Sequence, residues 1–253
     1  MKLILQTSGS YEVRTLLTHC MTRDIRFIRA SMTTLREWVG ALEEGAVPVG
    51  SVEFVRHALD LLRVNEPRTI SYPKLLEPWF FRNIQCIAKH SVPRTESIFV
   101  KPAGQTKAFS GFVLGEKAAD PSQAEYNRQQ QEDFERLPAP FPVYVCSPMR
   151  FLSEWRYYVL DGKIVGKARY DDGEEDAIAP ADATVRQMIA AYQYDPHAPK
   201  AYAIDAGVLD VGVTALVEVN DAWGLGLYRG MDNTQAYLEM LAFRWHEIWG
   251  RAD

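Results

Sequence analysis

The sequence predicts an α+β fold, and three observations predict it. The first third alternates short apolar strands with a helix. The C-terminal part carries two strand pairs around turn signals and closes on an amphipathic helix. Between them, the polar stretch AKHSVPRTE (residues 88–96) has a proline and no apolar period, which marks a boundary. The expected organisation is a small α/β domain over residues 1–95 and a larger domain of antiparallel sheets and helices over residues 96–253.

Residues 3–6 (LILQ) and 25–30 (IRFIRA) read as strands. Residues 51–62 read as a helix: Ser51 can cap it, Glu53 suits its first turn, and Val52, Val55, Leu59 and Leu62 recur at helical spacing. Neither G-x-G-x-x-G nor a Walker-type loop occurs in this part. Residues 97–102 (SIFVKP) form a strand that a proline ends, and residues 121–136 form a polar, Gln-rich helix that the breaker cluster LPAPFP closes off. Strands follow at 143–146, 153–160, 163–170, 202–209 and 214–220. In the last helix, residues 234–249, Leu238, Leu241, Trp245 and Ile248 line one face.

Composition narrows the function. Hydrophobic residues at 47% and charged residues at 24% place the chain among globular proteins rather than disordered ones. A net charge of -5 argues against a nucleic-acid polymer as the main partner. Cys20, Cys86 and Cys146 are far apart and show no metal spacing, which fits free thiols in a reducing compartment. The apolar run after Met1 is too short for a signal peptide, and no stretch is long enough to span a membrane. The expected location is therefore the cytoplasm.

Two hairpins concentrate charge. Asp161-Gly162 is a strong two-residue turn signal. With that turn, Arg156 faces Lys167 and Glu154 faces Arg169, so one carboxylate and three cations share a face, while Trp155, Tyr157, Val159, Ile164 and Ala168 form the apolar one. Arg156 opposite Lys167 is a like-charge pair, which either a polyphosphate relieves or both side chains avoid by reaching into water. In the second hairpin, a turn centred on Val211-Gly212 sets Asp205 opposite Glu218, with Asn220 on the same side. Two carboxylates and an amide oxygen suit a hard divalent cation such as magnesium, while the other reading is plain alternation on a half-exposed strand.

The order of these parts carries a resemblance. A lysine ends a strand (Lys101 in FVKP), and a second lysine lies in a glycine-flanked loop (Lys107 in GQTKAFSG). Then come a helix, VYVCSPMRF, SEWRYYVLDGKIV, Arg169, Asp205 in YAIDAGVL, and VEVN within EVNDAWGLGLY. From Phe99 to Tyr228 this series resembles the ATP-grasp superfamily, closest to its compact bacterial and phage-type members. The resemblance implies antiparallel sheets and helices that sandwich ATP, with the first ninety or so residues as the small α/β domain that precedes them.

It also implies roles. Lys101 and Lys107 would contact the ATP phosphates, and the adenine would lie against the stretch that holds Ser147 and Met149. Glu154 would approach the ribose or orient a cation, Arg156 and Arg169 would stabilise the transferring phosphoryl group, and Lys167 would assist or flank. Asp205, Glu218 and Asn220 would hold magnesium. The implied activity is an ATP-dependent carboxylate–amine ligase that proceeds through an acyl phosphate and joins small-molecule or peptide carboxylates to amines. A phosphotransferase on the same fold and a non-catalytic nucleotide-binding protein are the rivals. Of the remaining features, Trp223-Gly224-Leu225-Gly226 reads equally as a pocket-shaping loop or a glycine turn, and Cys146 reads as buried and inert. The five histidines show no ligand spacing, and DDGEED (residues 171–176) reads as a solvated acidic loop.

Overall fold

The chain is described by a computed structural model that covers residues 1–104, 108–115, 121–173 and 176–250. It forms two compact units: residues 1–79 together with 151–253, and residues 80–150.

The chain begins with β1 (Lys2–Gln6), α1 (Tyr11–Thr22), β2 (Arg26–Ala30), α2 (Val39–Glu43), β3 (Val47–Val49) and α3 (Val52–Leu61). The three strands form a parallel sheet in the order β2-β1-β3. Leu3, Ile4 and Leu5 are fully buried, as expected of a central parallel strand covered on both faces. Ser51 caps α3 as the sequence predicts, its hydroxyl accepting from the Phe54 amide at 3.2 Å. α1 is capped likewise by Ser10.

The second unit holds β4 (Gln85–Ala88), β5 (Ile98–Pro102), β6 (Phe112–Leu114), α4 (Pro121–Arg136) and β7 (Pro142–Cys146). Its strands form an antiparallel sheet in the order β4-β7-β5-β6. Ile98, Val100, Phe112, Leu114, Val143 and Val145 pack with Phe134 of the otherwise polar α4. Phe109, Phe112 and Phe134 meet edge to face at 5.5–5.9 Å between centroids. One apolar side chain thus anchors a helix whose composition reads as solvent-facing.

The chain then returns to the first unit with β8 (Phe151–Leu160), β9 (Lys163–Arg169), α5 (Asp182–Tyr192), β10 (Ala201–Leu209), β11 (Thr214–Asp221) and α6 (Thr234–Trp249). These strands form an antiparallel sheet in the order β11-β10-β8-β9. Leu238, Leu241, Trp245 and Ile248 of α6 are buried as the periodicity predicts. They belong to one core with Leu3, Leu5 and Leu16 from the N-terminal strands and helices and with Tyr158, Ala203 and Trp223. This shared core is why the compact units differ from the expected segments 1–95 and 96–253. The parallel sheet buries its apolar surface against the C-terminal elements instead of standing alone. Among the described residues, no helix is long and apolar enough to cross a membrane.

Both hairpins form, and both depart from ideal register. Asp161 and Gly162 have φ of +47° and +72°, the pair of positive values that a two-residue hairpin turn needs, and Leu160 pairs with Lys163 as expected. Beyond that, Val159 pairs with Ile164 but Tyr158 pairs with Gly166, so Val165 is an extra, bulged residue. Since side chains alternate, one extra residue moves every later side chain of β9 to the other face. Arg156 therefore opposes Ala168, Tyr157 opposes Lys167 and Trp155 opposes Arg169. This corrects the expected pairing of Arg156 with Lys167 and of Glu154 with Arg169, and it takes Ala168 off the apolar face assigned to it.

The second hairpin holds two deviations that cancel. Its connection has three residues rather than two: Leu209 donates to Val213 at 2.9 Å, and Gly212 takes a φ of +77°. That shift alone would set Asp205 out of step. A bulge at Val217 then restores the count, and Asp205 pairs with Glu218 as predicted.

Candidate active site

The site face of the antiparallel sheet is built by alternation. Glu154 and Arg156 project from β8, Asp205 from β10 opposite Arg156, Glu218 from β11 opposite Asp205, and Asn220 two residues beyond. Its centre is a buried ion pair. Arg156 Nε donates to Asp205 Oδ1 at 2.8 Å and Nη2 to Oδ2 at 2.7 Å. Asp205 is 1% exposed and Arg156 7%. This bidentate geometry is the strong form of the contact. Asn220 Nδ2 adds a third donor to Asp205 Oδ2 at 3.0 Å, in the amide orientation that leaves its Oδ1 facing away from that bond. Burial works against the Arg156 charge, but the Asp205 carboxylate outweighs it and holds the guanidinium firmly protonated.

That guanidinium lies over two aromatic rings. It lies 4.7 Å from the Tyr228 centroid and 5.9 Å from that of Tyr170. The two tyrosines stack at 5.1 Å and 20°. Tyr170 donates its hydroxyl to Glu154 Oε2 at 2.7 Å. Burial pushes the Glu154 carboxyl up, the Tyr170 hydrogen bond opposes the shift, and Asp205, Asp171 and Glu218 reinforce it by repulsion. Tyr158 ties the following loop to the sheet: its hydroxyl donates to Gly226 O at 3.1 Å and accepts from the Tyr228 amide at 3.0 Å. Asp221, next to Asn220, is also buried, and Arg244 of α6 grips both its oxygens at 2.7 Å. Asp221 also caps the turn at Trp223.

The structure thus brings Glu154, Arg156, Asp205, Glu218 and Asn220 onto one face. It does not bring Lys167 or Arg169 there. Lys167 pairs with Asp182 at 2.8 Å and lies over Trp155 and Tyr157 on the opposite face. Arg169 is held by Asp171, Nε to Oδ2 at 2.8 Å and Nη2 to Oδ1 at 2.7 Å. The bulge at Val165 is the physical reason in both cases. Three further candidates belong to the second unit. Lys101, on β5, shares a sheet face with Phe99, Tyr144 and Cys146. Ser147 is exposed just after β7. Met149 Sδ accepts from Arg82 Nη1 at 3.6 Å. Cys146 is buried, and burial pushes its thiol up, in keeping with an inert role. Lys107 lies outside the described residues.

The sequence reading missed Tyr158, Tyr170 and Tyr228 as parts of the site. Tyr228 stands in EVNDAWGLGLY, but nothing in its spacing says that its ring lands on an arginine of another strand.

The donor set can be weighed against a divalent ion. Among the described residues, no three His, Cys, Asp or Glu side chains converge as a metal cage. Magnesium does not require one, since it keeps waters and phosphate oxygens and takes one or two carboxylates. Glu218, Asn220 Oδ1 and the Arg156-held Asp205 on one face fit that pattern.

The family-model match makes this an ATP-grasp protein. The chain belongs to that family: the model of the ATP-grasp domain, R2K clade family 2, matches residues 81–240. Solved structures share the fold over nearly their whole length. One is D-alanine–D-alanine ligase from Bacillus anthracis complexed with ATP, with a TM-score of 0.51, 15% identity and 99% of each chain covered. Another is the ATP-grasp ligase PsnB complexed with minimal precursor, with a TM-score of 0.50, 14% identity, and 94% of this chain and 98% of that one covered. A third is the macrocyclase MdnC bound with precursor peptide MdnA from Microcystis aeruginosa MRC, with a TM-score of 0.51, 10% identity, and 95% and 99% covered. No curated protein matches the chain by sequence.

Proposed function

We propose that this chain is a magnesium- and ATP-dependent ligase that activates a carboxylate as an acyl phosphate and joins it to an amine. The observation that carries the reading is the pairing of Asp205 with Glu218, flanked by Asn220, on a face where Arg156 fixes Asp205. Glu218, Asn220 and Asp205 would hold magnesium, which when bound neutralises charge on the phosphate oxygens.

Arg156 takes a different part from the one the resemblance implies. Two of its three nitrogens are spent on Asp205, so its main task is to keep that carboxylate ionised and oriented. As the resemblance implies, Lys101 and Lys107 would contact the ATP phosphates, and the stretch with Ser147 and Met149 would lie against the adenine. Glu154, half-buried and held by Tyr170, suits hydroxyl recognition of the ribose. Arg169 and Lys167, on the opposite face, have no proposed part in phosphoryl transfer. The acid and the amine are small molecules or peptides. The peptide-bound ATP-grasp neighbours support that class without specifying it.

The reading is tested with ATP, magnesium, candidate acids and hydroxylamine. A trapped hydroxamate is the expected product, and turnover that yields a stable phosphorylated alcohol would overturn the ligase assignment. In a thermal-shift assay, Glu218→Ala is expected to abolish the stabilisation by magnesium and ATP. An unchanged shift removes Glu218 from the metal site.

A further inference from the structure

The contacts of Tyr228 go beyond filling space. The Arg156 guanidinium lies over its ring, 4.7 Å from the centroid, while Asp205 takes Nε and Nη2. A guanidinium is a rigid plane, so a ring that bounds its movement also limits where Nε and Nη2 can point. The ring stacks on Tyr170 at 20°, Tyr170 itself lies 5.9 Å from the same guanidinium, and Tyr170 is held by Glu154. Its backbone is held by Tyr158, through the Tyr228 amide at 3.0 Å, and Tyr158 also secures Gly226 O. Three side chains of the antiparallel sheet and its margin thus locate one loop aromatic, and that aromatic lies on the cation that grips Asp205.

We propose that Tyr228 is a positioning residue for the metal-binding face: it holds the Arg156 guanidinium in place and, through Arg156, the two oxygens of Asp205. The proposal rests on the magnesium-binding reading above and deepens it. It makes the loop from Ala222 to Tyr228 part of the metal site without a ligand of its own, because any displacement of the ring frees the guanidinium to turn and loosens both bonds to Asp205. The ring matters here, and the Tyr228 hydroxyl does not.

The test is calorimetric titration of Mg2+ into the full chain at a fixed concentration of a non-hydrolysable ATP analogue, for the wild type, Tyr228→Leu and Tyr228→Phe. Tyr228→Leu removes the cation–π contact and is expected to raise the half-saturating Mg2+ concentration about 2- to 30-fold. Tyr228→Phe keeps the ring and is expected to stay within about twofold of the wild type. Should the leucine variant not fold, Tyr228→Met fills similar volume without the ring and carries the same expectation. A lower unfolding midpoint with unchanged Mg2+ dependence would show a purely structural tyrosine and overturn the proposal. So would a phenylalanine variant as impaired as the leucine one. A wild type that binds the analogue with no Mg2+ dependence would instead overturn the metal reading itself.

Discussion

Arg156→Met is the perturbation that most directly tests how the site face is held. The arginine is 7% exposed, its partner Asp205 is 1% exposed, and two short hydrogen bonds join them. The substitution keeps much of the side-chain volume and the Asn220 bond to Asp205, but it removes the cation that balances a buried carboxylate. Removing one partner of a buried pair costs about 3–5 kcal/mol, mostly as the penalty of the stranded charge. For a chain of this size each kcal/mol lowers the melting temperature by about 2–4 °C, so a loss of about 6–20 °C is expected. Urea unfolding followed by circular dichroism measures the free energy, and calorimetry measures the shift. Two companion results check the cause. Arg156→Met with Asp205→Leu, which removes both charges, is expected to be more stable than Arg156→Met alone. The deficit of the single variant is also expected to shrink as pH falls, because protonation discharges the stranded carboxyl. A single variant within about 1 kcal/mol of the wild type would refute the reasoning, since it would mean the pair is not desolvated as its burial implies.

Other consequences are as direct. Gly207→Ala places a Cβ 2.4 Å from a ring carbon of Phe151 and 2.9 Å from the Ser153 carbonyl, so a loss of about 1–3 kcal/mol is expected from overpacking, read as a lower urea midpoint at unchanged slope. Asp171 is held well below the usual carboxylate range, first by Arg169 and then by the amides of Glu154 and Gly173. Its depressed folded value means that its contribution is complete above the unfolded value of about 4 and is lost as pH falls toward the folded one. Asp171→Asn is therefore expected to be less stable than the wild type near neutrality and to show a flatter acid limb. Equal slopes below about pH 5 would count against the assignment.

The local grammar of this chain was readable where a single segment decides its own structure. Ser51 caps its helix, Asp161-Gly162 makes the two-residue turn, and the stripe from Leu238 to Ile248 faces the core, because each depends on neighbours within a few residues. The trio Asp205, Glu218 and Asn220 was legible for a similar reason: strand alternation and one turn suffice to group them, although the agreement needed a three-residue loop and a bulge at Val217 to cancel. Lys167 and Arg169 were misplaced because the bulge at Val165 has no clear residue signature, and one extra residue reverses a face.

By itself, then, the sequence determined the type of the elements it marked, the Asp161-Gly162 turn, the carboxylate pair and the family. Only the tertiary structure decided that the N-terminal parallel sheet shares a core with α6, that Arg156 serves Asp205, and that Tyr228 lies upon Arg156. These contacts join residues far apart in the chain, and their partners are chosen by register, burial and the need to pair a desolvated charge, none of which a local pattern encodes.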